Sequence, residues 1–131
     1  MTGQEKEILI RQKITRAKST IGQINNLLKF GYYDTAINRI YYACFYAVQA
    51  LLIQKDIIPK SHKGVLNMFS LHYIREGIIS EKFGKHYSRI FDQRMTADYD
   101  EGLLPDSEMV NGLLGISVDF IKLADELLSK K

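Results

Sequence analysis

The sequence is poor in the residues that mark secreted, disordered and membrane-spanning proteins. One cysteine among 131 residues, Cys44, cannot form an internal disulfide, which excludes a disulfide-stapled secreted scaffold. Only 2 prolines and 46% hydrophobic residues exclude Pro-rich and disordered chains. The longest nearly uncharged stretch, residues 40–54, is shorter than the roughly 20 apolar residues of a membrane span, and no apolar signal segment precedes it. We therefore expect one soluble cytoplasmic domain over residues 1–131, without a membrane partner.

Helical periodicity dominates what is present. Apolar residues recur at steps of three and four over 10–28 and again over 109–127, which predicts a long helix at each end of the chain. Gly31 would end the first helix, while Pro105 and Asp106 would open the last. Three further helices are predicted over 34–55, 61–76 and 82–100. The fold class that follows is all-α, an antiparallel up-down bundle of four to five helices.

The central segment 34–55 is apolar on nearly every side, and a helix of that kind lies at the centre of a bundle. Ser61 is a candidate N-cap for the next helix, with Gly77 at its end, and Gly102 would end the fourth. No segment alternates in the manner of a strand.

Charge is distributed unevenly along the sequence. Residues 1–31 carry a net charge of +4, residues 32–97 another +4, and residues 98–131 a net charge of −5. One interpretation is that oppositely charged terminal helices pack side by side. The other is a basic face for a partner that carries phosphate.

A first group of unusual residues lies within the apolar central helix. Arg39, Tyr42, Tyr46 and Gln49 are spaced by three, four and three residues and share one face. An arginine there is costly unless it is paired or reaches water. Arg39 either snorkels or pairs with a carboxylate, or the four residues form a polar aromatic wall that stacks a base or a partner's ring.

Two more groups follow. Lys60, Ser61, His62 and Lys63 surround the start of a predicted helix, which is either a plain cap with solvated lysines or an anion site, because helix N-termini present free N–H donors. Further on, Arg94 precedes Asp98 by four residues and Tyr99 by five. These residues form either a structural ion pair, which Arg39 would join, or part of a functional site.

The sequence gives little support for a metal site or for a nucleophilic residue. The three histidines are 10 and 14 residues apart, with no pattern of metal ligands, so no metal and no cofactor is expected. His72 and His86 are predicted at the surface or the boundary of the core. Cys44 reads as a small core residue rather than a nucleophile.

Three segments together carry a resemblance: Gly31-Tyr32-Tyr33-Asp34-x-Ala36-x-Asn38-Arg39-x-Tyr41-Tyr42-Ala43, Ser61-His62-Lys63-Gly64 and Arg94-x-x-Ala97-Asp98-Tyr99. In this order the sequence is similar to the HEPN family of helical domains over most of its length. The resemblance implies a helical bundle that often forms homodimers. It also implies a small nucleotidyltransferase as partner, in modules that act as toxin–antitoxin pairs.

The resemblance further implies binding of nucleotides in some members and metal-independent ribonuclease activity in many. The ribonuclease motif is an Arg followed, after four to six residues, by a His. No arginine of this sequence has a histidine in that window, and Tyr99 stands there after Arg94. A tyrosine, with a pKa near 10, is a poor general base at neutral pH.

The leading prediction is therefore a HEPN-like module without enzymatic activity, which binds a nucleotide or a nucleotidyltransferase partner. The first alternative is a ribonuclease with an altered motif that uses Arg94, Tyr99 and His62 on RNA. The second is a purely structural helical homodimer. Five apolar residues are candidates for a twofold interface: Leu9, Leu27, Phe30, Ile57 and Ile58. The predicted binding residues are Arg39, Tyr42, Ser61, His62, Arg94, Asp98 and Tyr99.

Overall fold

The structure is a computed structural model that describes residues 1–96 and 104–130. Within these residues the chain forms six α-helices and one π-helical turn, and no β-strand, so the predicted all-α fold is confirmed. The elements are α1 (Gly3–Ile21), α2 (Ile24–Lys29), α3 (Tyr33–Gln54), α4 (His62–Phe69) with its π-helical continuation (Ser70–Ile74), α5 (Glu81–Thr96) and α6 (Ser107–Ser129).

Local sequence signals fix several helix ends. The Ser61 hydroxyl accepts a 2.9 Å hydrogen bond from the backbone N–H of Gly64, and Asp106 accepts one of 2.8 Å from that of Met109. Both caps satisfy donors that a helix start leaves free. Gly31 adopts a φ of 74° between α2 and α3, a left-handed conformation that favours glycine. The caps at Ser61 and Asp106 and the turn at Gly31 are as the sequence predicts.

Helices α1 and α3 run antiparallel along their whole length. A residue nearer the start of α1 therefore faces a residue that is equally far toward the end of α3. Arg16 of α1 lies 4.6 Å from the Tyr46 ring of α3. Arg39 of α3 donates a 3.3 Å hydrogen bond to Gln23, just after α1, and Lys6 of α1 forms a 3.2 Å ion pair with Asp56, just after α3. This register decides which side chains of α1 lie beside the wall predicted on α3.

Helix α3 is the centre of the bundle and packs against α1, α2, α4, α5 and α6. Fourteen of its 22 residues are buried. Among the described helices, α3 alone has the length and hydropathy of a membrane span, but 67% of its apolar window is buried inside the bundle. Its composition is therefore accounted for by its place in the core.

The first predicted helix is interrupted, contrary to expectation. The apolar stripe over 10–28 is split between α1 and α2, with Gly22 and Gln23 between them. The N–H of Gly22 still bonds to the carbonyl of Lys18, but that of Gln23 bonds to Thr20, three residues back. Glycine is a poor helix former, so the backbone hydrogen bonds change at this point from a four-residue to a three-residue spacing. The break turns Gln23 toward Arg39.

The helix predicted over 61–76 also changes character before its end. It is α-helical to Phe69 and then π-helical, with the N–H of Arg75 bonded at 2.9 Å to the carbonyl of Ser70, five residues back. Helix α5 approaches this turn closely, because a Cβ on Gly84 would lie 2.9 Å from a side-chain carbon of Ile74. The predicted end of α5 near Gly102 lies outside the described residues.

The buried face of α6 is rotated from the predicted stripe. The large residues at 109, 116, 123 and 127 are only half-buried. Small residues, Ser117 and Ala124, lie at the centre of the true face and let α6 approach α3 closely. A prediction that considers only large apolar residues does not identify such small residues as buried. The buried residues of α6 are Val110, Leu113, Ser117, Phe120, Ile121, Ala124 and Leu128.

Candidate functional site

Side chains from three helices meet where the start of α4 and the end of α5 face α3. Nη2 of Arg94 donates a 3.2 Å hydrogen bond to the hydroxyl of Tyr42, and the guanidinium carbon lies 5.5 Å from the centroid of that ring. The His62 imidazole meets Tyr42 edge-on, with 5.9 Å between ring centroids. The structure thus brings together three of the predicted site residues, Tyr42, His62 and Arg94, from distant parts of the sequence.

The imidazole of His62 is held by two neighbours on α3. Its ring stacks on Phe45 with a centroid distance of 4.4 Å and an interplanar angle of 13°. Its Nδ1 lies 2.8 Å from the hydroxyl oxygen of Tyr41. A stacked ring with one nitrogen hydrogen-bonded has a fixed orientation, which leaves Nε2 as the atom available to a ligand.

The direction of the bond between Tyr41 and His62 follows from burial. Tyr41 has no exposed surface, and its hydroxyl lies 2.8 Å from Nδ1 of His62 and next to the buried hydroxyl of Tyr87, which donates toward it. If Nδ1 carried the proton, Tyr41 would have to donate to Tyr87, and the buried hydrogen of Tyr87 would be left unpaired, at a cost of roughly 1–3 kcal/mol. Tyr41 therefore donates, and the proton of the neutral imidazole is on Nε2.

Both groups keep the protonation that this bond requires. Burial raises the pKa of Tyr41 to about 12, so its hydroxyl retains the proton. Burial, and secondly the charge of Arg94, lowers the pKa of His62 below 6.5. His62 is consequently neutral at pH 7 and presents an N–H donor beside the Arg94 cation.

Arg94 is incompletely satisfied in this arrangement. Among the residues that the structure describes, its Nε is buried without a hydrogen-bond partner, while its Nη2 bonds to Tyr42. An unpaired donor on a half-buried cation is costly. An anion that accepts from the guanidinium would remove part of that cost.

Arg39, on the same face of α3, contacts a different element. Its Nη2 donates a 3.3 Å hydrogen bond to the side-chain oxygen of Gln23, at the break between α1 and α2. Arg39 is half-buried, and no described contact joins it to Arg94. The predicted shared recess therefore includes Tyr42 and Arg94 but not, by direct contact, Arg39.

The rest of the predicted wall lies beside cations of α1. Arg16 and Lys13 lie over the ring of Tyr46, at 4.6 and 5.8 Å from its centroid. Gln49, one turn further along, has a buried side-chain oxygen without a partner. From the sequence, Lys13 and Arg16 are predicted only as part of the positive charge of residues 1–31. Their spacing of three residues beside the apolar stripe of α1 was the signal that they share a face.

A sequence model described as the HEPN domain matches residues 10–127 of the chain. The chain belongs to the HEPN family. The family that the resemblance indicated is thereby confirmed, and the bundle with its central tyrosine-rich helix is the HEPN fold of this chain.

Relatives of this HEPN chain share much of its length. A "UPF0332 protein" of Thermotoga maritima is 35% identical over 124 residues, which cover 95% of this chain and 94% of the relative. "Putative toxin MJ0605" of Methanocaldococcus jannaschii is 33% identical over 117 residues, 88% of this chain and 87% of the relative. "Putative toxin MJ0142" of the same organism is 37% identical over 91 residues, 70% of this chain and 62% of the relative.

The remaining predicted site residues of the HEPN chain fall into two classes. Ser61 serves as the cap of α4, where its oxygen accepts from Gly64, and the neighbouring Lys60 and Lys63 are exposed. This is the arrangement of a plain cap with solvated lysines. Asp98 and Tyr99 lie outside the described residues, so their predicted roles remain predictions.

His86 corrects the sequence analysis. It was expected at the surface or boundary, yet it is only 6% exposed, and its Nε2 lies 2.7 Å from the hydroxyl of the fully buried Ser117. Burial lowers the pKa of His86 to about 4, so the ring is neutral inside the bundle. A serine on the close-packed face of α6 supplies the partner that makes burial of the ring tolerable.

Cys44 lies in the same interior, as predicted. It has no exposed surface, and burial raises the pKa of its thiol to about 12, which removes thiolate reactivity at neutral pH. Over residues 1–96 and 104–130, no cluster of three or more His, Cys, Asp or Glu side chains is placed to hold a metal ion.

Proposed function

We propose that this HEPN chain binds a nucleotide through Tyr42, His62 and Arg94. The observation that carries the proposal is the convergence of the Arg94 guanidinium and the His62 imidazole on Tyr42. A guanidinium is a planar, permanently charged donor that suits phosphate oxygens. The Nε2–H of His62 adds a neutral donor, and the Tyr42 ring offers an aromatic face for a base.

Charge around the site is compatible with an anionic ligand. Lys60 and Lys63 are exposed on either side of the Ser61 cap, next to His62 in sequence. Since the same helix start carries the partial positive charge of α4, these groups add to the attraction for phosphate. Arg39, Asp98 and Tyr99 complete the proposed set: Arg39 as a second cation on α3, and the other two as residues that follow Arg94.

Isothermal titration calorimetry with ATP and AMP tests the proposal. Arg94→Gln should weaken binding about tenfold or more, because a charge-assisted contact contributes roughly 1.5–3 kcal/mol. Arg75→Gln is the matched control, since Arg75 is exposed and its substitution removes the same charge outside the cluster. Unchanged binding in Arg94→Gln, with helical circular dichroism retained, would refute the site.

We further propose that the chain acts with a small nucleotidyltransferase in a cytoplasmic toxin–antitoxin pair. Membership of the HEPN family and the word "toxin" in the names of two relatives support this. Co-expression of the chain with a nucleotidyltransferase encoded beside it should yield a complex that survives gel filtration. Failure to co-purify from a strain that makes both proteins would argue against the pair.

A homodimer is part of the proposal. Of the five apolar residues predicted for a twofold interface, Phe30 and Ile58 are 73% and 60% exposed, while Leu9, Leu27 and Ile57 pack partly against the core. Phe30 also stacks with Tyr32, which is 57% exposed, so the apolar surface before the start of α3 is larger than predicted, whereas Ile58 lies past the opposite end of that helix. A monomer in light scattering at micromolar concentration would contradict the dimer.

A ribonuclease is the second candidate, because His62 approaches Arg94 from another helix without any local Arg–His motif. The Arg94 cation would stabilise phosphate charge, and His62 would transfer the proton. The hydrogen bond from Tyr41 keeps the proton of His62 on Nε2. This nitrogen therefore cannot accept a proton from a ribose hydroxyl, as a general base must. We therefore favour binding over catalysis.

Two measurements separate the candidates. Purified protein incubated with RNA in EDTA should leave the RNA intact if the site only binds, whereas cleavage that disappears in Arg94→Gln would establish the ribonuclease. The ¹⁵N resonances of His62 should report a protonated Nε2 in the native protein and a mixture of tautomers in Tyr41→Phe. A protonated Nδ1 in the native protein would remove the argument against base catalysis.

A further inference from the structure

Helices α1, α3 and α4 and the loop over residues 57–59 enclose a cavity of about 180 Å³ apart from the proposed nucleotide site. Its wall is aliphatic, without a single aromatic ring. The apolar lining residues are Leu9, Leu52, Ile53, Ile57, Ile58, Pro59 and Val65. A wall of this kind accommodates a branched aliphatic group rather than a flat base, which aromatic side chains recognise by stacking.

Two polar side chains, Gln49 and Lys13, also line the cavity. The side-chain oxygen of Gln49 is buried and has no hydrogen-bond partner within residues 1–96 and 104–130. A buried acceptor without a partner costs free energy, and such atoms are rare in folded proteins. A ligand that donates a hydrogen bond to this oxygen would satisfy it.

Lys13 lines the cavity and shares the Tyr46 ring with a second cation, Arg16, which lies outside the lining. Burial and the neighbouring charge of Arg16 lower the pKa of Lys13. A bound anion would relieve both the burial cost and the repulsion between the two cations.

We propose that this cavity binds a small aliphatic carboxylate that carries an N–H group, the chemistry of a C-terminal leucine, isoleucine or valine of a peptide chain. The aliphatic side chain would fill the apolar part, the N–H would donate to Gln49, and the carboxylate would accept from Lys13. A hydrogen bond from an ammonium group to a carboxylate is charge-assisted and stronger than a neutral one. None of these contacts involves Arg94, Tyr42 or His62, so the proposal is independent of nucleotide binding.

N-acetyl-L-leucine is the probe, titrated into ¹⁵N-labelled protein and followed by amide chemical shifts. We expect saturable shifts around Lys13, Gln49 and Ile58, with a dissociation constant on the order of 1 mM, as befits a ligand of this size. Three relatives of the probe each lack one group: N-acetyl-leucinamide lacks the carboxylate, 4-methylpentanoate lacks the N–H, and N-acetylglycine lacks the side chain. Each should bind at least about tenfold more weakly. Equal binding of N-acetyl-leucinamide would overturn the proposal.

Two variants test the residues. Lys13→Met removes the charge but keeps a long flexible side chain, and it should weaken N-acetyl-L-leucine about tenfold. Gln49→Leu removes the unpaired oxygen; it should weaken the probe while thermal unfolding shows that the fold is retained. Lys18→Met is the matched control, because Lys18 pairs with Asp125 of α6 instead.

Arg94→Gln separates this site from the proposed nucleotide site. It should leave the affinity for N-acetyl-L-leucine unchanged while it weakens ATP. Shifts in response to N-acetyl-L-leucine that persist unaltered in Lys13→Met and Gln49→Leu would refute the cavity as the binding site, whatever the result with nucleotides.

Discussion

His62 and His86 have the same side chain and a similar first contact, yet they serve different ends. In each, one ring nitrogen lies within 2.8 Å of a hydroxyl oxygen, that of Tyr41 for His62 and that of Ser117 for His86. Burial lowers the pKa of both. His86, however, is enclosed between α5 and α6, whereas His62 stands at the start of α4 with its second nitrogen available.

A hydroxyl partner does not by itself distinguish a structural histidine from a functional one. The difference lies in the second nitrogen and its surroundings. Next to His62 there is a cation, Arg94, whose Nε has no acceptor in the part of the chain that the structure describes. Removal of His86 should therefore affect chiefly folding, and removal of His62 chiefly ligand binding.

The largest effect should come from His86→Ala. The substitution leaves a cavity in the bundle and strands the buried hydroxyl of Ser117, so we expect a loss of roughly 3–4 kcal/mol in the free energy of unfolding. Urea denaturation followed by circular dichroism measures it. His72→Ala, at a half-buried position, is the control and should lose far less. Similar losses in the two variants would mean that His86 is not enclosed as described.

Titration of His86 should also make the free energy of unfolding depend on pH. The pKa of His86 is about 4 in the folded protein and 6.5 in the unfolded chain. Above pH 6.5 both states are neutral and its contribution is fully present; as pH falls from 6.5 to 4 only the unfolded chain takes up the proton, so stability falls. The shift corresponds to a loss of about 3 kcal/mol at most, complete near pH 4.

Comparison of urea denaturation at pH 7 and pH 4.5 checks this expectation. In His86→Phe, which keeps a ring but does not titrate, the loss between the two pH values should be smaller. If native protein and variant lose the same amount, the acid sensitivity originates in other groups.

The fold was largely predictable, because burial of apolar residues dictates helical periodicity. The positions of α3, of the caps at Ser61 and Asp106, and of the turn at Gly31 follow from local chemistry. The prediction failed in two places. The apolar stripe over 10–28 continues past Gly22, a poor helix former at which the helix breaks. The rotated face of α6, centred on Ser117, depends on how closely α6 approaches α3, which the spacing within one helix does not reveal.

The candidate site was predictable in composition but not in pairing. The chemistry-bearing residues Tyr42, His62 and Arg94 stand out in the sequence, and they do meet. Arg39 shares a helix face with Tyr42 but contacts Gln23, since the break after α1 presents that amide to it. The interior place of His86 could not be foreseen either, because its partner lies 31 residues away.

A smaller loss of stability is expected for His62→Phe. Phenylalanine keeps the stack on Phe45 but offers no acceptor to the buried Tyr41 hydroxyl, which should cost about 1–2 kcal/mol. Differential scanning calorimetry should show a modest decrease of the melting temperature, well below that of His86→Ala. A loss as large as that of His86→Ala would place the main role of His62 in the fold and weaken the comparison.

The smallest effect on stability should belong to the double variant Tyr41→Phe with His62→Phe. Since both partners of the hydrogen bond are removed and the rings are retained, neither leaves the other unpaired; Tyr87 alone loses the neighbouring Tyr41 hydroxyl, and stability should return to within about 1 kcal/mol of the native protein. The affinity for ATP should nevertheless stay about tenfold lower, because the Nε2–H donor is gone. Calorimetric titration and a double-mutant cycle on stability measure the two quantities on the same samples. Recovery of ATP binding together with stability would mean that His62 acts on the ligand only by keeping the helix start folded.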